Sequence, residues 1–202
     1  MRQKSKTISS PVSRCYSDRW FTQLNAILEE AHLLAGEYDR LGRSLMVDLR
    51  LLRLPLAEDD SHELLVQLRL WPVGRILASL TSLSGTPMNL TLNQLTSEVA
   101  SFGGLALYGG EFFDVAPPDT MASQRQLDVA FLDSPSAHSI YLFQQNSQKV
   151  LDLWIWFDHL EFRDRRGILL LPESLVAEAK RWWDALAVGD PRTARAGIYP
   201  IK

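Results

Sequence analysis

Residues 151–162 read LDLWIWFDHLEF, placing Asp152, Asp158, His159 and Glu161 around Trp154 and Trp156. A carboxylate beside a histidine can orient the ring and raise its pKa, which is what general acid–base chemistry requires. The same groups could also serve as oxygen and nitrogen ligands for a metal. The period of a β-strand opposes both uses. Residues two apart share a face, so the adjacent Asp158 and His159 point to opposite sides of a regular strand. Continued in register, His159 and Glu161 would join the Leu151, Leu153, Ile155 and Phe157 face, at a cost unless they are paired. A bulge near 158–159 removes that conflict: it returns Leu160 and Phe162 to the core and turns His159 and Glu161 outward. The sequence therefore favours a structural strand here. A pocket lined by Trp154, Trp156, Asp158, His159 and Glu161 stands as the alternative.

Other chemistry is thinly represented. His32, His62 and His138 lack a second histidine at three or four residues, the spacing of helical zinc ligands. The stretch DSPSAHS offers Asp133, Ser134, His138 and Ser139, but no G-x-S-x-G elbow exists to present a nucleophile. The Gly-Gly pairs in FGGLALYGGEFF fit no nucleotide-binding spacing and read as a helix stop at 103–104 and a bulge or tight turn at 109–110. No catalytic residue, metal or cofactor is expected.

The elements that position these residues follow from periodicity. Residues 17–42 read as one helix capped by Ser17 or Asp18, with Trp20, Leu24, Ile27, Leu28, Ala31, Leu34 and Ala35 on its apolar stripe. SLMVDLRLLRLPL and HELLVQLRLWP alternate as an antiparallel pair around the turn AEDDS, with Leu64, Val66, Leu68 and Leu70 on one face. GRILASLTSLSG fits a third strand and a short helix alike. TLNQLTSEVASFGG reads as a helix, with Thr91 and Gln94 at capping-box spacing. After a broken strand in LALYGGEFFDV and a surface loop in VAPPDTMASQ, the strands QLDVAFLD, HSIYLFQQ and VLDLWIWFDHLEF follow, joined by the hairpin connections SPSA and NSQK. RDRRG then turns the chain into ILLLP, and ESLVAEAKRWWDALAVG closes the pattern as a helix. The expected fold is α+β: an antiparallel sheet of five to seven strands, largely a meander, with an N-terminal and a C-terminal helix packed on it. Residues 1–14 read as a disordered basic tail, 15–189 as a single domain and 190–202 as an extended tail.

Composition sets the functional class. The 202 residues are 46% hydrophobic and contain one cysteine, Cys15, which excludes a disulfide framework. The basic opening has no apolar segment behind it and does not read as a secretory signal, and no run is long enough to cross a bilayer. A cytoplasmic protein without membrane contact is therefore expected. Residues 57–164 hold fourteen acidic against five basic side chains, while 1–56 hold six against nine and 165–202 four against seven. An acidic middle disfavours nucleic-acid binding except through the basic tails.

In the last helix the neighbours Trp182 and Trp183 lie about 100° apart, so they cannot share one direction. One anchors the helix, and the other, flanked by Lys180 and Arg181, suits a protein interface. A broad apolar face burying both is the competing reading. Tyr199, in the apolar RTARAGIYPIK, packs back on the body or reaches a partner as an added strand. The leading expectation is a non-enzymatic adaptor, assembly factor or accessory subunit that binds a protein partner through this helix, the sheet edge or the tails. An enzyme or ligand-binding protein with the pocket above comes second, and a nucleic-acid accessory protein third.

Overall fold

The structure, a computed structural model, describes residues 18–29, 31–56, 61, 63–114, 126–132 and 135–194. Among these, eight strands form one antiparallel sheet, slightly more than the expected five to seven, with helices on one of its faces. The elements in chain order are α1 (Asp18–Leu28), β1 (His32–Asp39), β2 (Ser44–Leu52), β3 (Glu63–Ser82), α2 (Leu92–Ala100) and β4 (Gly109–Phe113). There follow β5 (Leu127–Ala130), β6 (His138–Gln145), β7 (Lys149–Asp164), β8 (Leu169–Leu170), α3 (Pro172–Ala187) and α4 (Pro191–Ala194). The strand order is β1-β2-β3-β7-β6-β4, with β5 on β3 and β8 on β7.

β3 and β7 form the spine. Their ladder runs from Val66 opposite Asp164 to Ser82 opposite Lys149. GRILASLTSLSG is thus the far half of the strand that begins in HELLVQLRLWP. Within β3, Pro72 has no N–H to give a neighbour. Pairing with β2 ends at Leu70, and β5 takes up the vacated edge from Arg75. The register with β7 shifts between Val73 and Arg75, at Gly74. A Cβ at Gly74 would run into the Ser136 hydroxyl, so glycine lets that loop close on the strand.

The buried face carries Val66, Leu68, Leu70, Ile76, Ala78 and Leu80 from β3 and Leu151, Leu153, Ile155 and Phe157 from β7. Leu160 and Phe162 then rejoin it. The alternation changes across Asp158–His159, where the sequence asks for it. The form differs from a bulge in β7 alone: Trp71 stays opposite His159 and Leu70 opposite Leu160, so both strands turn together.

The helix read over 17–42 ends at Leu28, and its second half is strand. Phe21, Leu24, Ile27 and Leu28 do pack into the core from α1. His32–Asp39 instead pairs with β2, from His32 opposite Arg50 to Asp39 opposite Ser44. The three-and-four spacing of Ala31, Leu34 and Ala35 is a local pattern. It gives way to a neighbouring segment, Leu45 to Leu51, whose strict alternation offers a complete ladder.

The sheet curls until its two edges nearly meet. His32 bridges Ala106, just ahead of β4, and Leu107 donates to the Ala31 carbonyl at 2.7 Å. His32 Nδ1 and Arg50 Nη2 converge on the Gly104 carbonyl at 2.7 and 3.3 Å. Gly103 and Gly104 stop α2 with φ of +68° and +69°, and the Gln94 side chain accepts the Thr91 N–H at 3.0 Å as the capping box predicts. Gly109 and Gly110, read as a bulge or turn, open β4 instead. Their role is close approach: a Cβ at Gly110 would sit 3.0 Å from Leu28 of α1.

SPSA does not make the expected hairpin. β5 lies on β3, whereas β6 lies between β7 and β4. Turn composition marks a reversal but not the strand the chain rejoins. The SPSA positions Ser134 and Asp133 beside it, the VAPPDTMASQ loop between 115 and 124, and the tail 1–14 lie outside the described residues, as does 195–202.

Gly110→Ala is expected to destabilise the fold by about 1–3 kcal/mol, the usual cost of overpacking. Gly109→Ala, whose added methyl would meet only Phe143 Cβ at 3.6 Å, should change it little. Urea unfolding of the two variants checks the contrast.

Candidate binding face

The helices contribute to the buried face, and on the opposite face of β4, β6, β7, β3 and β5 the side chains stand in rows set by the strand register. One row across it reads Glu111, Tyr141, Trp154, Leu77, Asp128. The next reads Phe113, Ser139, Trp156, Arg75, Ala130. On the other side of the first, Phe143, Asp152 and Ser79 are aligned. The alternation that sends Leu153 and Ile155 inward therefore sends Trp154 and Trp156 outward together.

These rings touch in a continuous ladder. Phe113 stacks on Trp154 with centroids 5.3 Å apart, and Trp154 on Trp156 at 6.1 Å. Tyr141 lies 4.7 Å from Trp154 and 6.4 Å from Phe143, which in turn meets Tyr108 edge-on at 6.4 Å. Six aromatic side chains from β4, β6, β7 and the segment before β4 make up this band, a grouping of the kind that gains beyond area burial alone. Trp154 and Leu77 are only 9% and 4% exposed, although they lie on the face away from the core. Tyr108, at the end of the band, is 71% exposed.

Polar groups are fixed at its margins. The Tyr141 hydroxyl donates to Asp152 Oδ1 at 2.6 Å. Burial first, and then this bond, pushes the Tyr141 pKa well above the ordinary tyrosine value. Arg75 binds Asp128 with both arms of its fork, at 2.8 and 2.7 Å, and lies over the Trp156 ring at 5.3 Å.

The residues singled out from LDLWIWFDHLEF divide at the change in alternation. Trp154 and Trp156 belong to the band. Beyond the change, Asp158 accepts the Ala137 N–H at 2.9 Å and secures the start of β6. The His159 ring lies 5.7 Å from Trp71. Glu161 pairs with Arg163 at 2.7 Å and Arg69 at 3.7 Å. Each is thus held by its own neighbour. Among the described residues no group of three or more His, Cys, Asp or Glu side chains is arranged to hold a metal. His138 lies 8% exposed between Phe21 and Phe157 and faces Asp114 at 3.3 Å.

In α3, Trp182 is 1% exposed and packs with Leu54 and Ala185, so it holds the helix to the body. Trp183 is half-buried and meets Trp182 edge-on at 4.9 Å. Lys180 pairs with Asp184 at 2.7 Å, and Arg181 with Glu178. Tyr199 lies outside the described residues. Sequence reasoning missed Phe113, Tyr141, Phe143 and Tyr108 as members of the band that contains Trp154. The alternation in HSIYLFQQ and the NSQK hairpin were signals for Tyr141 and Phe143, but only the placement of β4 beside β6 brings in Phe113 and Tyr108.

No protein-family model, curated protein or solved structure matches this chain.

Trp182→Ala should cost about 3–5 kcal/mol in denaturant unfolding, as for other buried large aromatics. Tyr141 ionisation gives a second expectation. Its folded pKa lies above its unfolded value, so its contribution is present below about pH 10 and is lost as pH rises through the folded value. Stability measured against alkaline pH should therefore fall less steeply for Tyr141→Phe than for the native chain.

Proposed function

We propose that the protein is a non-enzymatic accessory subunit or adaptor that engages a protein partner through the aromatic face of its sheet. The observation that supports this reading is the ladder from Tyr108 to Trp156, on the face opposite the helices. Tyrosine and tryptophan anchors of this kind dominate binding energy at protein interfaces. The terminal helix has less to offer such a contact, because Trp182 is committed to the core and the flanking charges Lys180 and Arg181 are paired within the helix. The acid–base alternative has less support, since Asp158, His159 and Glu161 are each tied to a separate local partner. The role is assigned to the cytoplasm, in keeping with a single cysteine. No helix among the described residues is long and apolar enough to cross a membrane.

The test is the native mass of the protein in lysate from its own source. Trp156→Ser should shrink the assembly while the isolated chain keeps its circular dichroism spectrum, and Trp183→Asp should leave the assembly intact. Loss on Trp183→Asp alone would move the contact to α3. A free chain in every case would overturn the accessory role.

A further inference from the structure

Resting on that reading, we infer that the aromatic face receives an extended, arginine-bearing segment of its partner. Charge is the first argument. The row Glu111, Tyr141, Trp154, Leu77, Asp128 has a carboxylate at each end, and Asp152 adds a third beside its centre. Among the described residues of these rows, Arg75 is the only cation, and it is bound to Asp128 in bidentate fashion. Glu111 is exposed at the open end of its row. The face lies in the portion of the chain with fourteen acidic against five basic residues. A cationic partner therefore meets a complementary field.

Ring chemistry is the second argument. The sheet twice places a guanidinium against an indole on this side: Arg75 over Trp156 at 5.3 Å and Arg69 over Trp71 at 5.2 Å. Arginine does this better than lysine, because its planar, weakly hydrated head stacks while its fork remains free for carboxylates. An arriving arginine would find the same two components, aromatic rings and the Glu111 or Asp152 carboxylate, within one band.

The dimensions fit an extended peptide. Four inter-strand spacings of about 4.8 Å separate β4 from β5, or about 19 Å, the length of roughly six residues of extended chain. Single-stranded nucleic acid also stacks on aromatic platforms, but its phosphates would face the Glu111 and Asp152 carboxylates. A second copy presenting the same face would bring carboxylates against carboxylates, which is repulsive.

The test uses the full chain and four fluorescent probes: a ten-residue peptide with four arginines among alanine and serine, its lysine and glutamate counterparts, and a ten-nucleotide single-stranded DNA. Anisotropy should show binding of the arginine peptide, several-fold weaker binding of the lysine peptide, and none of the other two. Raising salt from about 50 mM to about 500 mM should weaken binding about tenfold or more. Trp156→Ser and Glu111→Lys, each with an unchanged circular dichroism spectrum, should do the same, whereas Lys180→Glu on α3 should not. Binding of the DNA or the glutamate peptide, or arginine-peptide binding indifferent to both face variants, would overturn the inference. So would sedimentation showing self-association that Glu111→Lys abolishes. If the arginine peptide fails to bind but Trp156→Ser still shrinks the lysate assembly, the cationic chemistry falls and the accessory role stands. If the assembly is also unaffected, both fall.

Discussion

The ladder between β3 and β7 is the constraint on which the rest of the molecule depends. Its pairing from Val66–Asp164 to Ser82–Lys149, shifted once at Gly74, supplies an edge for every other group of strands: β2 and β5 on one side, β6 and β8 on the other. Because the two strands change alternation together at Trp71 and His159, the same side chains that leave the core on one strand leave it on the other. A register slip of one residue would exchange the apolar and outward sets entirely. The apolar face of this ladder holds the register as much as its hydrogen bonds do.

That long pair also dictates the curvature. A twisted sheet with a spine this long does not remain flat, and here its edges come together at the His32–Ala106 bridge. The contacts that secure the junction are polar and short-range: the Gly104 carbonyl is met by His32 and Arg50, and Arg50 reaches Glu63 at 3.4 Å. On the inner side, α1 and α2 fill the concavity through Phe21, Leu24, Leu95 and Val99. On the outer side, aromatic residues bury part of one another's surface. Lys149 shows how inner and outer roles separate along one strand. It turns inward to Glu98 and to Ser101 at 2.6 Å, whereas Asp152, three residues on, faces outward to Tyr141.

The sequence was legible where one period dominated. The alternation in Leu45–Leu51, Val66–Leu70 and Leu151–Phe157 identified three strands and, for the second and third, the face toward the core, and the Thr91–Gln94 spacing identified the start of α2. It was illegible where two periods coexist. His32–Asp39 satisfies a helical stripe as well as a strand, and only the adjacent β2 decides between them. Asp158 and His159 were recognisable as a point of conflict, and their outward turn followed from the cost of burying them unpaired. That β3 turns with them, at Pro72, was not recognisable from either segment alone.

What the sequence by itself determined is the set of local choices: which residues alternate, where α2 and α3 begin and end, and that an acidic, single-cysteine chain lacks the common catalytic spacings. These follow from backbone conformation and from side chains a few residues apart. The tertiary structure alone decided that GRILASLTSLSG continues β3, that β5 and β6 part company across the sheet, and that Phe113 joins Tyr141, Trp154 and Trp156 on one surface. The physical reason is range. Apart from the β6–β7 hairpin, cross-strand neighbours on this face are far apart in sequence, and their meeting depends on which edge each strand finds, a choice fixed by burial of the whole apolar face rather than by any single segment.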